Sequence, residues 1–434
     1  TMRDVAITGS GGYGLIADGG ANFVFEDGEL SFNDTPAHLH PEVVDGLRGD
    51  IVFDGNANGF VSVVFGNNDT IEGNRTWPAL LVPYRIRDRF FISGKLTLTA
   101  GTLLQMSEGT KITVNESGQL TARGLGTAPI IFAGSVEERG HWQGIEVRST
   151  ADSSADEDGA VYDHDVIADA GSAVWSGDND STAALYLNAT SIVEISNTHF
   201  RNNGGYAIWA KQNATFGVFA NNSFTGGEKV MRIHPERAGE IDTGTTYLGN
   251  DENRIHLTFG NANIIDDPIT LLDPGIPFEV LNRFYVDEAL YIDRGVDLEF
   301  AAGASVIVRN EGSITGAGTE MDPVTLTGTE KVAGWWQGIQ IGTSDTGNSF
   351  DHAEIRHTGS GVWTGDNEST AGFYITTGSF LLLSDVVIGP GRGYGIFLEA
   401  FSSTAGCTNV MFEDLGEASV YEDDAGQPLG SCPD

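Results

Sequence analysis

Two short loops carry the residue types best suited to holding a ligand. They are Trp175–Asp180, with the sequence WSGDND, and Trp363–Glu368, with the sequence WTGDNE. A tryptophan face packs against the apolar face of a sugar ring, while Asp and Asn side chains hydrogen-bond the sugar hydroxyls. We therefore expect ligand binding by six residues of these loops: Trp175, Asp178, Asn179, Trp363, Asp366 and Asn367.

The same loops also offer carboxylates to a metal ion. Hard cations such as Ca²⁺ prefer oxygen ligands, although the full EF-hand pattern is absent from both loops. The carboxylates available are those of Asp178, Asp180, Asp366 and Glu368. A structural interpretation stands beside these two, because Gly-Asp-Asn is ordinary turn chemistry and tryptophan often covers the end of a solenoid core. Apart from Ca²⁺, the sequence suggests no cofactor.

A second set of carboxylates could perform acid–base chemistry. Asp163 and Asp165 flank one histidine; in the second copy Asp351 precedes the matching histidine, and Glu354 follows two residues after it. Carboxylates two residues apart on one strand share a face, where they could act as the acid and base of glycoside hydrolysis or hold Ca²⁺ for a lyase. The second copy has Ala353 where the first has Asp165. Such imperfect repetition favours a structural turn-and-strand motif over a catalytic pair.

The paired motifs reflect an internal duplication of the chain. The segment Trp142–Ile145 (WQGI) recurs as Trp336–Ile339, 194 residues later. Further along, the offset becomes 188 residues, which pairs Trp175 with Trp363. Repeats of this length indicate that similar structural units follow one another along the chain.

The duplication also predicts how the chain is organised. Tyr13-Gly14 aligns with Tyr394-Gly395 at an offset of 381 residues, so the chain opens with the tail of an earlier copy. We expect a single β-helix over residues 1–434, formed by a partial repeat at 1–60, one repeat unit at 61–254 and a second at 255–434. The segment from about 405 to 434 is expected to be a C-terminal cap.

The local pattern predicts an all-β fold. Short runs rich in β-branched residues, such as Lys111–Val114 and Ile130–Phe132, recur at intervals of about 15 to 20 residues between Gly, Asn or Asp. Helical periodicity is hard to find, and the 58 Gly and 13 Pro residues interrupt the chain too often for helical bundles. Because the copies follow one another without a linker, a solenoid fits better than a row of sandwiches.

Several of these segments resemble a known family. The succession Leu96–Met106, Gly118–Gly124, Pro129–Phe132 and Trp142–Ile145 looks like the coils of bacterial right-handed parallel β-helix repeat proteins, the pectin-lyase-like group. The resemblance covers most of the chain and implies a right-handed parallel β-helix that forms one elongated rod. It says little about function, since this architecture is shared by lyases, hydrolases, adhesins and surface proteins.

Composition restricts the class of partner. With 23 basic and 61 acidic residues, the net charge is −38, so the chain would repel nucleic acid and anionic membrane surfaces. No apolar run approaches the length of a membrane span, so direct membrane insertion is not expected. Such acidity suits a protein secreted into surroundings rich in divalent cations, or one from a salty habitat. If the protein is secreted, its signal segment lies outside this sequence. The oligomeric state is left open.

The only two cysteines lie near the C-terminus. Cys407 and Cys432 are close enough in sequence for a disulfide that pins the C-terminal cap, and we expect this bond. Two buried thiols are the alternative.

These observations favour a secreted or cell-surface, non-catalytic β-helix protein. It would act as a spacer or adhesin and bind polysaccharide or a cell-surface glycan. The alternative is a polysaccharide lyase or glycoside hydrolase of the pectin-lyase-like fold, with catalytic residues among Asp163, Asp165, Asp351 and Glu354. Duplication favours binding, because an enzyme needs one unique residue set whereas a multivalent binder gains from a repeated surface.

Overall fold

Parallel strands dominate the structure of this chain. The computed structural model describes residues 1–64, 69–150, 159–175, 180–258, 263–363, 369–399, 406–423 and 427–429. Strands make up 49% of the chain and helices 3%, and the strands stack in long parallel sheets. The predicted parallel β-helix is therefore confirmed.

The chain forms two compact units. Unit 1 contains residues 1–231 and 244–253, and unit 2 contains residues 232–243 and 254–434. The division after Asn253 lies one residue before the repeat boundary that the sequence predicts, whereas the short segment 232–243 belongs with unit 2. Two strands, Lys229–Ile233 and Glu252–Leu257, contain residues of both units.

Unit 1 is built from three long parallel sheets and two short N-terminal ones. The first sheet contains Tyr13–Ala17, Thr35–Leu39, Val61–Val63, Tyr84–Ile86, Leu103–Met106, Ile130–Gly134, Asp165–Ala168, His199–Arg201, Ser223–Thr225 and Thr246–Leu248. The second contains Asn74–Trp77, Lys95–Leu98, Gln119–Arg123, Ala160–Asp163, Ile192–Ser196 and Thr215–Ala220. The third contains Thr70–Ile71, Phe90–Ile92, Lys111–Val114, Gly144–Val147, Ala183–Leu187 and Tyr206–Ala210. The short sheets contain Met2–Arg3, Phe25–Glu26 and Leu47–Arg48, and Ala6–Thr8 with Glu29–Ser31; a 3₁₀-helix spans Pro41–Gly46.

Unit 2 repeats the three-sheet plan. One sheet contains Ile264–Ile265, Phe284–Val286, Ser305–Val308, Gly338–Ile341, Ala371–Ile375, Tyr394–Leu398 and Val420–Glu422, with Gln427–Leu429 added antiparallel. The other two sheets begin with Ile269–Leu271, Ala289–Asp293 and Ser313–Ala317, and with Phe278–Val280, Asp297–Phe300 and Val324–Gly328. Two long strands, Ser349–Ile355 and Leu382–Ile388, take part in both of these sheets. Cys407–Thr408 continues the sheet that begins with Ile269–Leu271, and Met411–Phe412 continues the sheet that begins with Phe278–Val280. A short helix spans Pro235–Ala238.

The core consists of inward side chains that stack from coil to coil. In unit 1, Ile112, Ile145, Leu185 and Ile208 occupy one register and are buried. Burial of such a side chain contributes roughly 1.5–3 kcal/mol relative to leaving it in water. Alternate residues point outward, so the outer surface of each sheet is free to differ between the copies.

The repeated Trp-Gln-Gly motif is explained by a close approach of backbones. Gly144 and Gly338 have φ of 123° and 119°, and a Cβ atom at Gly144 would collide with the carbonyl oxygen of Ala184. The tryptophans of the motif, Trp142 and Trp336, are fully buried. The motif is therefore a strand entry that requires glycine.

Of the two cysteines expected to form a disulfide, the structure describes only one. Cys407 lies in the strand Cys407–Thr408, and Cys432 lies outside the described residues. The disulfide stays a prediction. Among the described residues, no helix is long and apolar enough to span a membrane.

Candidate functional site

The two predicted tryptophans occupy matching places in the two units. The indole of Trp175 stacks on Tyr186, with ring centroids 5.8 Å apart and planes inclined by 14°, and its Nε1 donates to the carbonyl of Ala183 at 2.8 Å. Trp363 stacks on Tyr374 at 6.0 Å and 19° in the same way. Both tryptophans are half-buried. One face of each indole is thus occupied by protein, which fixes the start of each loop.

Each tryptophan covers a cluster of outward-facing aromatic residues, here called the aromatic cluster of its unit. In unit 1 the buried members are Tyr186, Tyr206 and Trp209 with Ala183; in unit 2 they are Tyr374, Phe397 and Tyr421 with Ala371, and Tyr394 packs against them partly buried. Tyr186 and Trp209 alternate with the core ladder, since they pair with each other between the inward pairs Leu185–Ile208 and Leu187–Ala210. The duplication has therefore preserved an aromatic outer surface.

The acidic parts of the two loops fall mostly outside the described residues. This applies to Asp178, Asn179, Asp366, Asn367 and Glu368. Asp180 is described and exposed. Ligand binding and Ca²⁺ binding by these residues stay predictions.

An open cleft lies directly beside the second tryptophan, within unit 2. It has a volume of about 890 Å³ and is lined by Gly359–Val362, Thr370, Arg392–Tyr394, Gly416, Glu417 and Tyr421. The segment Gly359–Val362 leads straight into Trp363. Arg392 and Glu417 are exposed, and neither side chain forms an ion pair or hydrogen bond with another described residue. The cleft therefore presents a cation and an anion that are both available to a ligand.

In unit 1 the corresponding position is closed by side chains. Glu228, the counterpart of Gly416, accepts a hydrogen bond from the N–H of Gly205 at 2.9 Å. Lys229, the counterpart of Glu417, places its Nζ 5.2 Å from the ring centroid of Tyr206.

In unit 2 the same position is open. Gly416 carries no side chain, and the N–H of Gly393, the counterpart of Gly205, has no acceptor among the described residues. Tyr394 is correspondingly more exposed than Tyr206. Sequence reasoning did not find this cleft, although a position-by-position comparison of the copies would have shown the loss of the Glu228 side chain at Gly416.

The expectation that Asp163 and Asp165 share one strand face was wrong. Asp163 ends the strand Ala160–Asp163, Asp165 begins the strand Asp165–Ala168, and between them His164 has φ of +54°. This left-handed turn directs the two carboxylates to different environments. Although burial opposes the change, hydrogen bonds from Asn197 and Ser196 lower the pKa of Asp163.

Asp165 lies in the core and is 1% exposed. Among the described residues, no donor makes a hydrogen bond of ordinary geometry to either carboxylate oxygen, although the N–H groups of Gly124 and Ile130 lie close enough to favour the charged form slightly. Burial, reinforced by the charge of Asp163, raises the pKa of Asp165 to about 9. A carboxyl group in this position is neutral at pH 7 and is out of reach of a surface ligand.

In unit 2 the candidate carboxylates are more accessible: Asp351 is exposed and Glu354 is partly exposed. The Glu354 carboxylate accepts a hydrogen bond from Arg356 at 2.7 Å, and Asp351 bonds to Nδ1 of His352 at 2.9 Å. Asp385 joins this pair, so that ligand atoms of Asp351, His352 and Asp385 all lie within 4.8 Å of one another. Hydrogen bonds from Asn409 and Ser384 lower the pKa of Asp385.

A further acidic group in unit 2 could also hold a cation. It consists of Glu236, Asp266 and Asp267. Although burial opposes the change, interactions with His234 and Asp266 lower the pKa of Glu236 to about 2. This carboxylate is already held by protein donors.

Comparison of this chain with protein-family models, with curated proteins and with solved structures finds no match. The fold places the chain in the broad class of parallel β-helix proteins, and its function has to be argued from its surfaces.

Proposed function

We propose that this chain is a non-catalytic β-helix protein of the pectin-lyase-like group that binds polysaccharide outside the cell, as a spacer or adhesin. The observation that carries the proposal is the aromatic cluster next to a polar loop, present once in each unit. The tryptophan at the edge of each cluster is half-buried, and aromatic rings beside hydrogen-bonding groups are typical of sugar-binding surfaces.

The conserved geometry of the two copies supports a role in binding. Trp175 and Trp363 make the same stacking contact and donate from Nε1 to equivalent carbonyls, at Ala183 and Ala371. Repetition of a binding surface within one chain increases the avidity for a repetitive ligand such as a polysaccharide. Ca²⁺ bound by the acidic loops is part of the proposal. Of the candidate ligands, only Asp180 lies within the described part of the chain, where it is exposed.

The alternative of a lyase or hydrolase receives less support from the candidate carboxylates. A catalytic pair has to reach one substrate, but Asp165 is buried while Asp163 is partly exposed. Glu354 is engaged by Arg356.

Isothermal titration calorimetry with a panel of neutral and acidic polysaccharides tests the proposal. The wild-type protein is expected to bind at least one polysaccharide without releasing unsaturated or reducing ends. Trp175→Phe and Trp363→Phe preserve an aromatic ring, whereas Trp175→Ala and Trp363→Ala are expected to weaken binding. Absence of binding across the panel, or steady release of new chain ends, would refute the proposal.

A further inference from the structure

We infer that the cleft of unit 2 is a binding site for an uncharged pyranose chain and that its counterpart in unit 1 is closed. The inference rests on the proposed function and adds a site to it. The tryptophans of both units remain contacts for a long polysaccharide, whereas a short oligosaccharide is predicted to bind once per chain, in this cleft. The cleft of about 890 Å³ is large enough for several sugar rings by the usual size of ligand pockets.

The aromatic ring of Tyr394, which lines the cleft, is fixed by its neighbours. Tyr394 lies 4.9 Å from Tyr421 and 5.9 Å from Phe397, measured between ring centroids. Tyr421 and Phe397 in turn stack at 5.0 Å. Because Tyr394 is only half-buried, part of its surface remains available to a sugar ring. A ring fixed by its neighbours loses little entropy when a ligand binds.

The polar groups of the cleft require a ligand that can both donate and accept. Arg392 offers donors only, and the ionised Glu417 offers acceptors only. Gly393 adds a backbone N–H that has no acceptor among the described residues. Sugar hydroxyls donate and accept in the same molecule, so one pyranose chain can satisfy all three groups.

Charge favours a neutral glycan over an anionic one. Arg392 and Glu417 balance each other within the cleft, while the whole chain carries a net charge of −38. A polyuronate would gain one favourable contact with Arg392 but would approach a protein of the same sign of charge.

Unit 1 provides the matched control. Its Glu228 carboxylate accepts a hydrogen bond from the Gly205 N–H, whereas the Gly393 N–H has no acceptor in the described part of unit 2; the Nζ of Lys229 lies over the ring of Tyr206. In unit 2 a Cβ atom at Gly416 would lie 3.0 Å from the nitrogen of Gly393, a tight contact that a small shift of the backbone has to relieve. The double variant Gly416→Glu/Glu417→Lys therefore copies into unit 2 a pair that the same fold already tolerates in unit 1.

The test is calorimetry of the full chain with four neutral hexasaccharides, of cellulose, xylan, mannan and amylose type, and with hexagalacturonate. We expect one neutral probe to bind at one site per chain. Three variants should each weaken the affinity for this probe about tenfold or more, because a hydrogen bond to a charged group is lost: Gly416→Glu/Glu417→Lys, Arg392→Ala and Glu417→Gln. The reverse variant, Glu228→Gly/Lys229→Glu, should create a second site.

The outcomes separate this inference from the proposed function. Two sites in the wild-type protein, preference for hexagalacturonate, or unchanged affinity in all three cleft variants would overturn the inference while leaving polysaccharide binding in place. Failure of the wild-type protein to bind any of the five probes or any polysaccharide would overturn both. Thermal melting followed by circular dichroism checks that the variants are folded. If the ligand contacts the positive charge of Arg392, Arg392→Lys should recover part of the affinity that Arg392→Ala loses.

Discussion

Asn197 donates a hydrogen bond from its side-chain amide to the carboxylate of Asp163 at 2.9 Å. At the equivalent position of unit 2 stands Asp385, which brings a second carboxylate towards Asp351 instead of a donor. Both Asn197 and Asp385 have positive φ, of 49° and 54°, and Asn and Asp tolerate this turn better than most residues. The two copies thus share a backbone and differ in the charge at the turn.

This relationship predicts the effect of Asn197→Asp. The substitution replaces a donor by a like charge next to Asp163 while the side chain keeps its shape. We expect the free energy of unfolding to fall by roughly 0.5–1.5 kcal/mol at pH 7, the usual net contribution of one hydrogen bond, because the bond is exposed and Asp163 keeps its contacts with Ser196 and His164. Urea denaturation measures this loss. The matched variant Asp385→Asn keeps an acceptor oxygen for Asn409 and removes a like charge beside Asp351, so it should lose less stability than Asn197→Asp. Equal losses in both variants would contradict the prediction.

The glycine of the Trp-Gln-Gly motif should be indispensable. Gly144→Ala and Gly338→Ala place a Cβ against the carbonyls of Ala184 and Gly372 at backbone angles that L-residues rarely adopt. Strain of this kind costs roughly 1–3 kcal/mol before any collision is counted. Thermal and urea unfolding should show a loss of at least that size for each variant. Gly59→Ala is the control, because its Cβ would meet nothing within 4 Å.

The repeat and the strand-length runs were sufficient to predict the parallel β-helix. Offsets of 194 and 188 residues align core positions such as Ile130 with Val324, and these are buried in equivalent strands of the two units. Glycines that the repeat preserves, such as Gly144, mark places where backbones approach closely. Such features depend on local pattern, which a sequence displays directly.

The position of Asp165 and the cleft of unit 2 depend on relations that a local pattern does not display. A single left-handed residue, His164, reverses the alternation on which the shared-face argument rested. The cleft depends on residues from three successive coils, among them Gly359, Arg392 and Glu417, that approach one another only after folding. Comparison between copies is the one sequence signal that could have found it.

The predicted disulfide remains to be measured. Cys407 lies in a described strand near the end of unit 2, where a bond to Cys432 would limit fraying of the terminal coil. Peptide mapping by mass spectrometry without reductant should recover the two cysteines in one linked peptide. Reduction is then expected to lower the melting temperature of the protein. Recovery of two alkylated thiols from protein kept oxidised throughout would contradict the bond.

The buried carboxyl of Asp165 should make the stability of the protein fall as pH rises. Its pKa is raised to about 9 in the folded state and is about 3.9 in an unfolded chain. A raised folded pKa means that the stabilising effect of protonation is complete below the unfolded pKa, and it is lost progressively up to about pH 9. Between those limits the folded protein binds the proton and the unfolded chain does not.

Unit 2 shows which substitution removes this dependence. The counterparts of Tyr162 and Asp165 are Phe350 and Ala353, at the same registers and equally buried. The side-chain hydroxyl of Tyr162, like the Asp165 carboxylate, has no hydrogen-bond partner among the described residues, so the double variant Tyr162→Phe/Asp165→Ala removes two buried polar groups together. We expect the free energy of unfolding of this double variant to be roughly 1–3 kcal/mol higher than that of the wild-type protein at pH 9. The difference should be smaller at pH 5.

Urea denaturation at pH 5, 7 and 9 measures the difference between the two proteins. Asp165→Asn keeps the shape of the side chain without its charge and should flatten the same pH dependence, even if the amide leaves stability lower overall. The reverse change in unit 2, Phe350→Tyr/Ala353→Asp, should introduce a new loss of stability as pH rises. A difference between Tyr162→Phe/Asp165→Ala and wild type that does not change from pH 5 to pH 9 would show that the Asp165 carboxyl is ionised in the folded protein, and the assignment of a buried neutral acid would be wrong.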